Sequence, residues 1–172
     1  GWSAAATAIL TTDTCSKGIS KEVFIGDQKG VITGITKGAG MVRPNMATML
    51  AFIGTDLNIP PELLQVFLKM AVEKSFHRIT IDGDTSTNDA CAILATGANT
   101  NLAIDDIESD EAKIFYSALE DVCIYLAQAI IKDAEGATKF ISLIVEEGAN
   151  EKECLDVAFT IAHSPLVKTA LF

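Results

Sequence analysis

Strand and helix patterns alternate through the middle of this chain, and that alternation limits the folds that the sequence can adopt. Residues 49–53 form a continuous apolar run, which is typical of a buried strand. Residues 61–73 begin with the second of two adjacent prolines and repeat apolar side chains at helical spacing, so they predict a helix. Strand patterns at residues 78–81 and 90–95 come next. This order of elements predicts an α/β (α+β) architecture.

Two further patterns precede this region. Residues 2–10 are rich in alanine and predict a helix. Residues 23–32 predict a β-hairpin in which Gly26 and Gly30 supply the turn. The hairpin leads to a loop that is interrupted by glycine and proline and ends where the apolar run of residues 49–53 begins.

A long helix is predicted to begin near Ser109 and to stop before Gly136. Apolar residues trace one of its faces, namely Phe115, Leu119, Val122, Leu126 and Ile130. Its last turn would carry Asp133 and Glu135, although carboxylates at a helix C-terminus oppose the helix dipole. Glu135 therefore needs either solvent or a functional role.

The C-terminal part of the chain has patterns of its own. Residues 140–145 predict a strand, and residues 150–153 resemble a capping box that opens another helix. We therefore expect two units. Residues 1–135 would form a core α/β region, and residues 136–172 would form part of a smaller C-terminal α/β unit.

The composition excludes several classes of function. The 172 residues carry a formal net charge of −10 with lysine and arginine scattered singly, whereas a nucleic-acid surface needs a basic stripe. No apolar run approaches the ~18 residues of a membrane helix, and no signal peptide opens the sequence. The four cysteines lie far apart, so we expect reduced thiols and no metal site. A cytoplasmic protein without nucleic-acid or membrane partners is expected.

Thr48 has the most suggestive setting of any residue in the chain. It follows Ala47 at the end of the glycine- and proline-interrupted loop and directly precedes the predicted strand. A strand fixes a hydroxyl nucleophile while a loop leaves it accessible. Threonine needs a base, which its own α-amine can supply once the Ala47–Thr48 bond is cut. Threonine is also favoured in strands, so the local sequence leaves an ordinary strand-edge residue as the alternative.

Other polar motifs match known sites less well. The acidic loop of residues 82–89 begins like a calcium-binding EF-hand loop, but Thr87 stands where that loop requires glycine. Asx and ST turns that wall an active site fit this loop better. The Gly-x-Gly motif within residues 37–40 lacks the ending of a phosphate-binding loop. His77 and His163 are interpreted as structural or surface residues.

Five blocks of sequence are distinctive when they are taken together. They are residues 11–14 (TTDT), 37–50 (KGAGMVRPNMATML), 82–89 (DGDTSTND), 134–139 (AEGATK) and 164–170 (SPLVKTA). In this order they resemble the ornithine acetyltransferase family, the bifunctional glutamate N-acetyltransferases of arginine biosynthesis. The resemblance spans nearly the whole chain, and it implies the layered sandwich that this family shares with self-processing threonine-nucleophile aminopeptidases.

The resemblance also implies an activity and a set of site residues. The enzyme would cut itself between Ala47 and Thr48, and the two products would stay associated, within a higher oligomer. Thr48 would then carry an acetyl group from N-acetylornithine to glutamate. Lys37 and Glu135 would hold the carboxylate and amino groups of the amino acid, and Thr11 would line the same pocket. No cofactor or metal is implied, although some members also use acetyl-coenzyme A as the acetyl donor.

Two departures from the family pattern leave alternatives open. The Thr-Gly pair that forms the family's oxyanion hole would lie upstream of Gly1, and further substrate contacts would lie beyond Phe172. Both ends of the sequence are therefore expected to be cut from something longer. A self-processing aminopeptidase or amidase of the same fold, with water as the acceptor, is the first alternative. A catalytically incomplete fragment that serves as a structural or interaction domain is the second.

Overall fold

A computed structural model describes residues 1–42, 49–84 and 89–171, without the side chains of residues 101 and 102. Its elements, in chain order, are α1 (Trp2–Ala8), β1 (Lys17–Ile25), β2 (Gln28–Lys37), β3 (Leu50–Asn58), α2 (Pro61–Glu73), a 3₁₀ helix (Phe76–Arg78), β4 (Ala90–Ala103), α3 (Asp110–Lys132), α4 (Glu151–Ala162) and α5 (Pro165–Leu171).

The four strands form one mixed sheet in the order β1-β2-β3-β4. β1 and β2 form the predicted antiparallel hairpin, in which Ile25 faces Gln28 across a turn at Gly26 with a φ of 58°. The prediction that Gly30 belongs to the turn is wrong, because Gly30 pairs with Val23 inside the ladder. β2 and β3 are also antiparallel, whereas β3 and β4 are parallel. A parallel pair needs a crossover connection, and α2 lies in the segment that joins β3 to β4.

The hydrophobic core lies between the sheet and the helices α2 and α3. Phe67 of α2 packs edge-on against Phe115 of α3, with ring centroids 5.4 Å apart, and both side chains are buried. A Cβ atom added to Gly34 of β2 would lie 2.8 Å from Leu126 Cδ1, so glycine allows α3 to approach the sheet closely. This core places the end of β2 and the end of α3 next to each other.

α3 begins near Ser109 as predicted and combines a side-chain cap with an apolar buried face. The hydroxyl of Ser109 accepts a hydrogen bond from the backbone N–H of Ala112 at 3.1 Å, which starts the helix. By length and composition alone, α3 could also cross a membrane. Its apolar face instead packs against the sheet and α2, and nine of its residues are buried in this core: Ala112, Phe115, Ala118, Leu119, Val122, Cys123, Leu126, Ala127 and Ile130.

Most predicted elements are confirmed, including the mixed α/β architecture, the helix at residues 61–73 and the strand that starts at residue 90. The strand predicted at residues 78–81 is wrong. That segment follows the 3₁₀ helix, and Ile81 donates its backbone N–H to Val42 O at 2.7 Å. One hydrogen bond to a loop does not make a sheet ladder.

The strand predicted at residues 140–145 is also wrong for the described part of the chain. This apolar segment forms no strand there, and Ile144 is 82% exposed. A strand requires a partner for its backbone groups, and the segment finds none in the described sheet. The capping box is confirmed, because Glu153 donates its N–H to Asn150 Oδ1 at 3.0 Å and accepts from Ala149 N.

Candidate active site

Lys37 ends β2 and places an ammonium group inside the protein. The residue is only 7% exposed, and its Nζ donates to Thr11 Oγ1 at 3.2 Å. No carboxylate in the described ranges forms a salt bridge with it. A buried charge that is hydrogen-bonded only to a neutral hydroxyl is unfavourable without an anion. The end of β2 is therefore suited to receive an anionic group.

Asp13 fixes the Thr11 loop against the end of β2. Its buried carboxylate accepts hydrogen bonds from the backbone N–H groups of Gly38, at 2.7 Å, and Thr11, at 3.3 Å. Lys17 Nζ donates to the same carboxylate at 2.6 Å. Burial alone would raise the pKa of Asp13, but the hydrogen bonds that the carboxylate accepts outweigh burial and lower the pKa. Asp13 thus holds Thr11 near Lys37.

Lys17 also connects this loop to the end of α3. Its Nζ lies 2.5 Å from Asp133 Oδ2, and both side chains are almost completely buried. Thr14 donates to the same carboxylate through its backbone N–H, at 3.0 Å, and through its hydroxyl. Burial would raise the pKa of Asp133, but these hydrogen bonds and the Lys17 charge lower it to about 2. The network binds three segments of the site together.

Glu135 lies past the end of α3, not in its last turn as predicted from sequence, because the helix ends at Lys132 and Asp133 caps it. Its backbone N–H donates to Ala39 O at 2.9 Å, two residues after Lys37. Gly40 lies next to the Glu135 carboxylate, since a Cβ atom added to Gly40 would be in van der Waals contact with Oε1 at 3.5 Å. The exposed Glu135 therefore lies beside the loop that follows Lys37.

Ala47 and Thr48 lie outside the described residues, but both flanks of their segment are held. On the N-terminal side, Asp82 accepts from the backbone N–H groups of Met41, at 2.6 Å, and Val42, at 3.1 Å. On the C-terminal side, Asp89 Oδ1 accepts from Met49 N at 2.6 Å.

Asp89 is unusual because its second carboxylate oxygen, Oδ2, is buried and has no hydrogen-bond partner in the described structure. Burial raises the pKa of Asp89, and the Met49 N–H together with the charges of His77 and Lys37 offsets only part of this rise. The charged form of Asp89 is therefore destabilised by burial, and the nearby charge of Lys37 offsets only part of this effect.

Other nucleophiles of the chain lie in less suitable settings. Burial raises the pKa of Cys91 to about 12 and raises the pKa of Cys123 even further, so both thiols stay protonated. His163 shares a hydrogen bond with Thr80, with Nε2 and Oγ1 2.9 Å apart, and its ring stacks on Phe159. Within the described ranges no group of three or more histidine, cysteine or acidic residues could hold a metal ion.

The structure brings together three of the site residues predicted from sequence, Thr11, Lys37 and Glu135. Sequence reasoning missed the residues that anchor the surrounding segments. Asp13, Lys17 and Asp133 hold the Thr11 loop against β2 and α3. Asp82 and Asp89 hold the two flanks of residues 43–48. Two signals could have pointed to them. Asp13 belongs to the same short polar block as Thr11, and Asp133 was already out of place at a helix C-terminus, where a carboxylate needs a cationic partner.

Comparison with known proteins identifies a single family. The ArgJ family model matches residues 2–172. Two curated relatives are each called arginine biosynthesis bifunctional protein ArgJ. The protein from Pseudomonas fluorescens is 52% identical over 174 residues, and the protein from Psychrobacter arcticus is 53% identical over 171 residues. Each comparison covers 99% of this chain and 42% of the relative, so the chain spans less than half the length of these proteins.

A solved structure is similar as well. The crystal structure of arginine biosynthesis bifunctional protein ArgJ from Bacillus halodurans is 43% identical in sequence and has a TM-score of 0.64. The match covers 68% of this chain and 55% of that chain. The fold described above is therefore also found in a solved protein of that name.

Proposed function

The chain belongs to the ArgJ family, and we propose that it is the nucleophile-bearing part of a glutamate N-acetyltransferase. The enzyme would move an acetyl group from N-acetylornithine to glutamate in arginine biosynthesis. The curated relatives carry arginine biosynthesis in their names, which supports this assignment. A cytoplasmic location fits such an enzyme.

The proposed reaction begins with self-cleavage. The Thr48 hydroxyl attacks the carbonyl carbon of Ala47, the peptide C–N bond breaks, and an ester forms as the nitrogen takes up a proton. Water then hydrolyses the ester and leaves Thr48 with a free α-amine. That amine accepts the hydroxyl proton when Thr48 attacks the acetyl group of N-acetylornithine and releases ornithine. The amine of glutamate finally attacks the acetyl ester and regenerates the hydroxyl.

One observation carries the proposal, namely the buried Lys37 ammonium, which donates to Thr11 and forms no salt bridge with a described carboxylate. An amino-acid substrate has a carboxylate that would neutralise this charge. The same substrate carries an amino group, and the exposed carboxylate of Glu135 lies beside the adjoining loop, where it can receive that group. A cation at the end of β2 and an anion beside the loop that follows it match the two ends of an amino acid.

The sheet supports the expectation that the two cleavage products stay associated. A cut between residues 47 and 48 would separate β2 from β3. These strands pair from Ile32 opposite Thr55 to Lys37 opposite Leu50, and the core packs on both. The products would therefore remain together without the peptide bond.

Acetyl-coenzyme A as a second donor and a higher oligomer remain part of the proposal, and no cofactor is needed for threonine chemistry.

Turnover with N-acetylornithine tests this function, using the protein expressed from its complete coding sequence. Ornithine release should require glutamate and should match N-acetylglutamate formation, and Thr48→Ala should abolish both. Lys37→Met should lower kcat/KM by about 10- to 100-fold, because a charged hydrogen bond to substrate is worth roughly 1.5–3 kcal/mol. Lys29→Met is the matched control, because Lys29 lies on the same strand but is exposed.

The alternatives give different results in the same assay. Ornithine and acetate released without glutamate would identify a hydrolase. Absence of turnover together with one uncut mass, in the wild-type protein and in Thr48→Ala alike, would refute the proposed enzyme.

A further inference from the structure

The acidic loop that connects the 3₁₀ helix to β4 holds the chain on both sides of residues 43–48. Val42 donates its N–H to Asp82 Oδ1 at 3.1 Å, and its carbonyl accepts from Ile81 N at 2.7 Å. Met49 donates its N–H to Asp89 Oδ1 at 2.6 Å, and its carbonyl accepts from Ala90 N at 3.1 Å. Each flank is thus fixed through both of its backbone polar groups.

We propose that Asp89, assisted by Asp82, is a positioning residue for self-cleavage at the Ala47–Thr48 bond. This inference rests on the function proposed above. Asp89 does not need to touch the reacting atoms, because it acts through the backbone amide of Met49, which is bonded to the carbonyl carbon of Thr48. The acidic loop then has a role beyond forming its own turns.

The geometry favours positioning over a purely local role. A carboxylate that accepts an N–H at 2.6 Å makes a charge-assisted hydrogen bond, which is stronger and more directional than a neutral one. It holds the backbone N–H of Met49, the first described residue after the segment that contains the proposed cleavage site. Self-cleavage requires one hydroxyl to reach the preceding carbonyl, and such intramolecular attack depends strongly on alignment.

The Asp89 carboxylate is in an energetically unfavourable environment, and this indicates that it has a function. Its Oδ2 atom is buried and has no partner in the described residues, and an unsatisfied buried oxygen is unfavourable. The rest of the fold does not need a carboxylate here to satisfy Met49 N, because an amide oxygen of asparagine would accept the same hydrogen bond. The carboxylate strengthens this hydrogen bond, whereas asparagine would keep the same contact in a weaker form.

Time courses of self-cleavage in freshly synthesised full-length protein test the inference, with intact mass as the readout. Asp89→Ala should slow cleavage by about 100-fold, since a misplacement of roughly 1 Å can cost this much in rate. Asp89→Asn keeps an acceptor for Met49 N and should recover to within about tenfold of wild type. Asp82→Ala should slow cleavage less than Asp89→Ala, because Asp82 holds the more distant flank.

Asp56→Ala is the matched control. Asp56 Oδ1 also accepts a backbone N–H, that of Val31, at 2.8 Å, but it lies within the sheet away from the acidic loop. This variant should cleave at nearly the wild-type rate, even if urea unfolding shows that it loses as much stability as Asp89→Ala.

Wild-type cleavage together with unchanged cleavage in Asp89→Ala would overturn the positioning role and leave the proposed function intact. Equal slowing in Asp56→Ala, or no recovery in Asp89→Asn, would also overturn it. Absence of cleavage in the wild-type protein would instead refute the proposed function on which the inference rests.

Discussion

Two lysine–aspartate pairs in this chain share the same sequence spacing and the same nitrogen–oxygen distance but differ in their surroundings. Lys17 and Asp13 lie four residues apart with Nζ and Oδ1 at 2.6 Å, and so do Lys152 and Asp156 of α4, with Nζ and Oδ2 at the same distance. The first pair is 1% and 0% exposed, whereas the second is 84% and 65% exposed.

The difference shows that location decides what an ion pair does. The buried pair joins the Thr11 loop to β2 and, through Asp133, to the end of α3. Removing one partner there would leave uncompensated charges in a low-dielectric environment. The exposed pair on α4 lies in water, where screening and side-chain entropy cancel most of the attraction. The contrast extends to the elements themselves, because α3 has a buried face and α4 has no buried residue in the described structure.

The largest effect is expected from Lys17→Met, which keeps much of the side-chain volume but removes the charge. Two buried carboxylates would lose their shared cation, so the free energy of unfolding should fall by roughly 3–5 kcal/mol. Urea unfolding followed by circular dichroism measures this change. Lys152→Met is the matched variant and should leave the urea midpoint unchanged. Equal effects of the two substitutions would contradict the role that we give to burial.

An intermediate effect is expected from pH, because the pKa of Asp133 is lowered from its ordinary value of 3.8 to about 2 in the folded chain. The unfolded state then binds the proton more tightly. The contribution of Asp133 is therefore fully present above a pH of about 4 and disappears as the pH falls to about 2. Over this window it amounts to roughly 2 kcal/mol.

Urea unfolding at several acidic pH values checks the prediction for Asp133. Asp133→Asn should be less stable than wild type at neutral pH, and the difference between the two proteins should shrink between a pH of about 4 and about 2. A difference that stays constant over this range would exclude Asp133 as the titrating group. Lys152 cannot give a similar acid-dependent signal, because it stays charged throughout.

The smallest effect is expected from the helix caps. Ser109 caps α3 and Asn150 caps α4, with acceptor distances of 3.1 and 3.0 Å to the N–H groups of Ala112 and Glu153. Ser109→Ala should lower global stability by about 1 kcal/mol, because α3 is part of the core. Asn150→Ala should mainly speed amide hydrogen exchange within α4. An equal loss of global stability from the two variants would show that α4 unfolds together with the core.

Much of the fold could be read from the sequence because the relevant signals are local. Pro61 at a helix start and the capping residues Ser109 and Asn150 act on their own neighbourhoods, and the helices begin where these residues predict. The apolar run near residue 50 needs only a buried position to become a strand. The two strands that failed, at residues 78–81 and 140–145, have suitable side chains but lack a neighbouring strand in the described sheet.

The residues of the candidate site also divide into those that sequence motifs identify and those that only long-range contacts reveal. Thr11, Lys37 and Glu135 were identified because their blocks resemble a family, and not because their positions in the chain suggest proximity. Their positioning residues could not be found in this way, since Lys17 and Asp133 are 116 positions apart and meet only when α3 packs on the sheet. Asp89 likewise acquires its role from a contact with Met49 that is 40 positions away.

The sequence by itself determined the α/β class, most of the helices and strands, and the family, and it proposed three candidate site residues that the structure describes. These follow from periodicity, capping and motif identity, which are properties of short segments. Only the tertiary structure decided which charges are buried and what they hold together. Burial depends on long-range packing, and burial is what makes Lys37 a candidate anion receptor, Lys17 a structural link and Lys152 an ordinary surface residue.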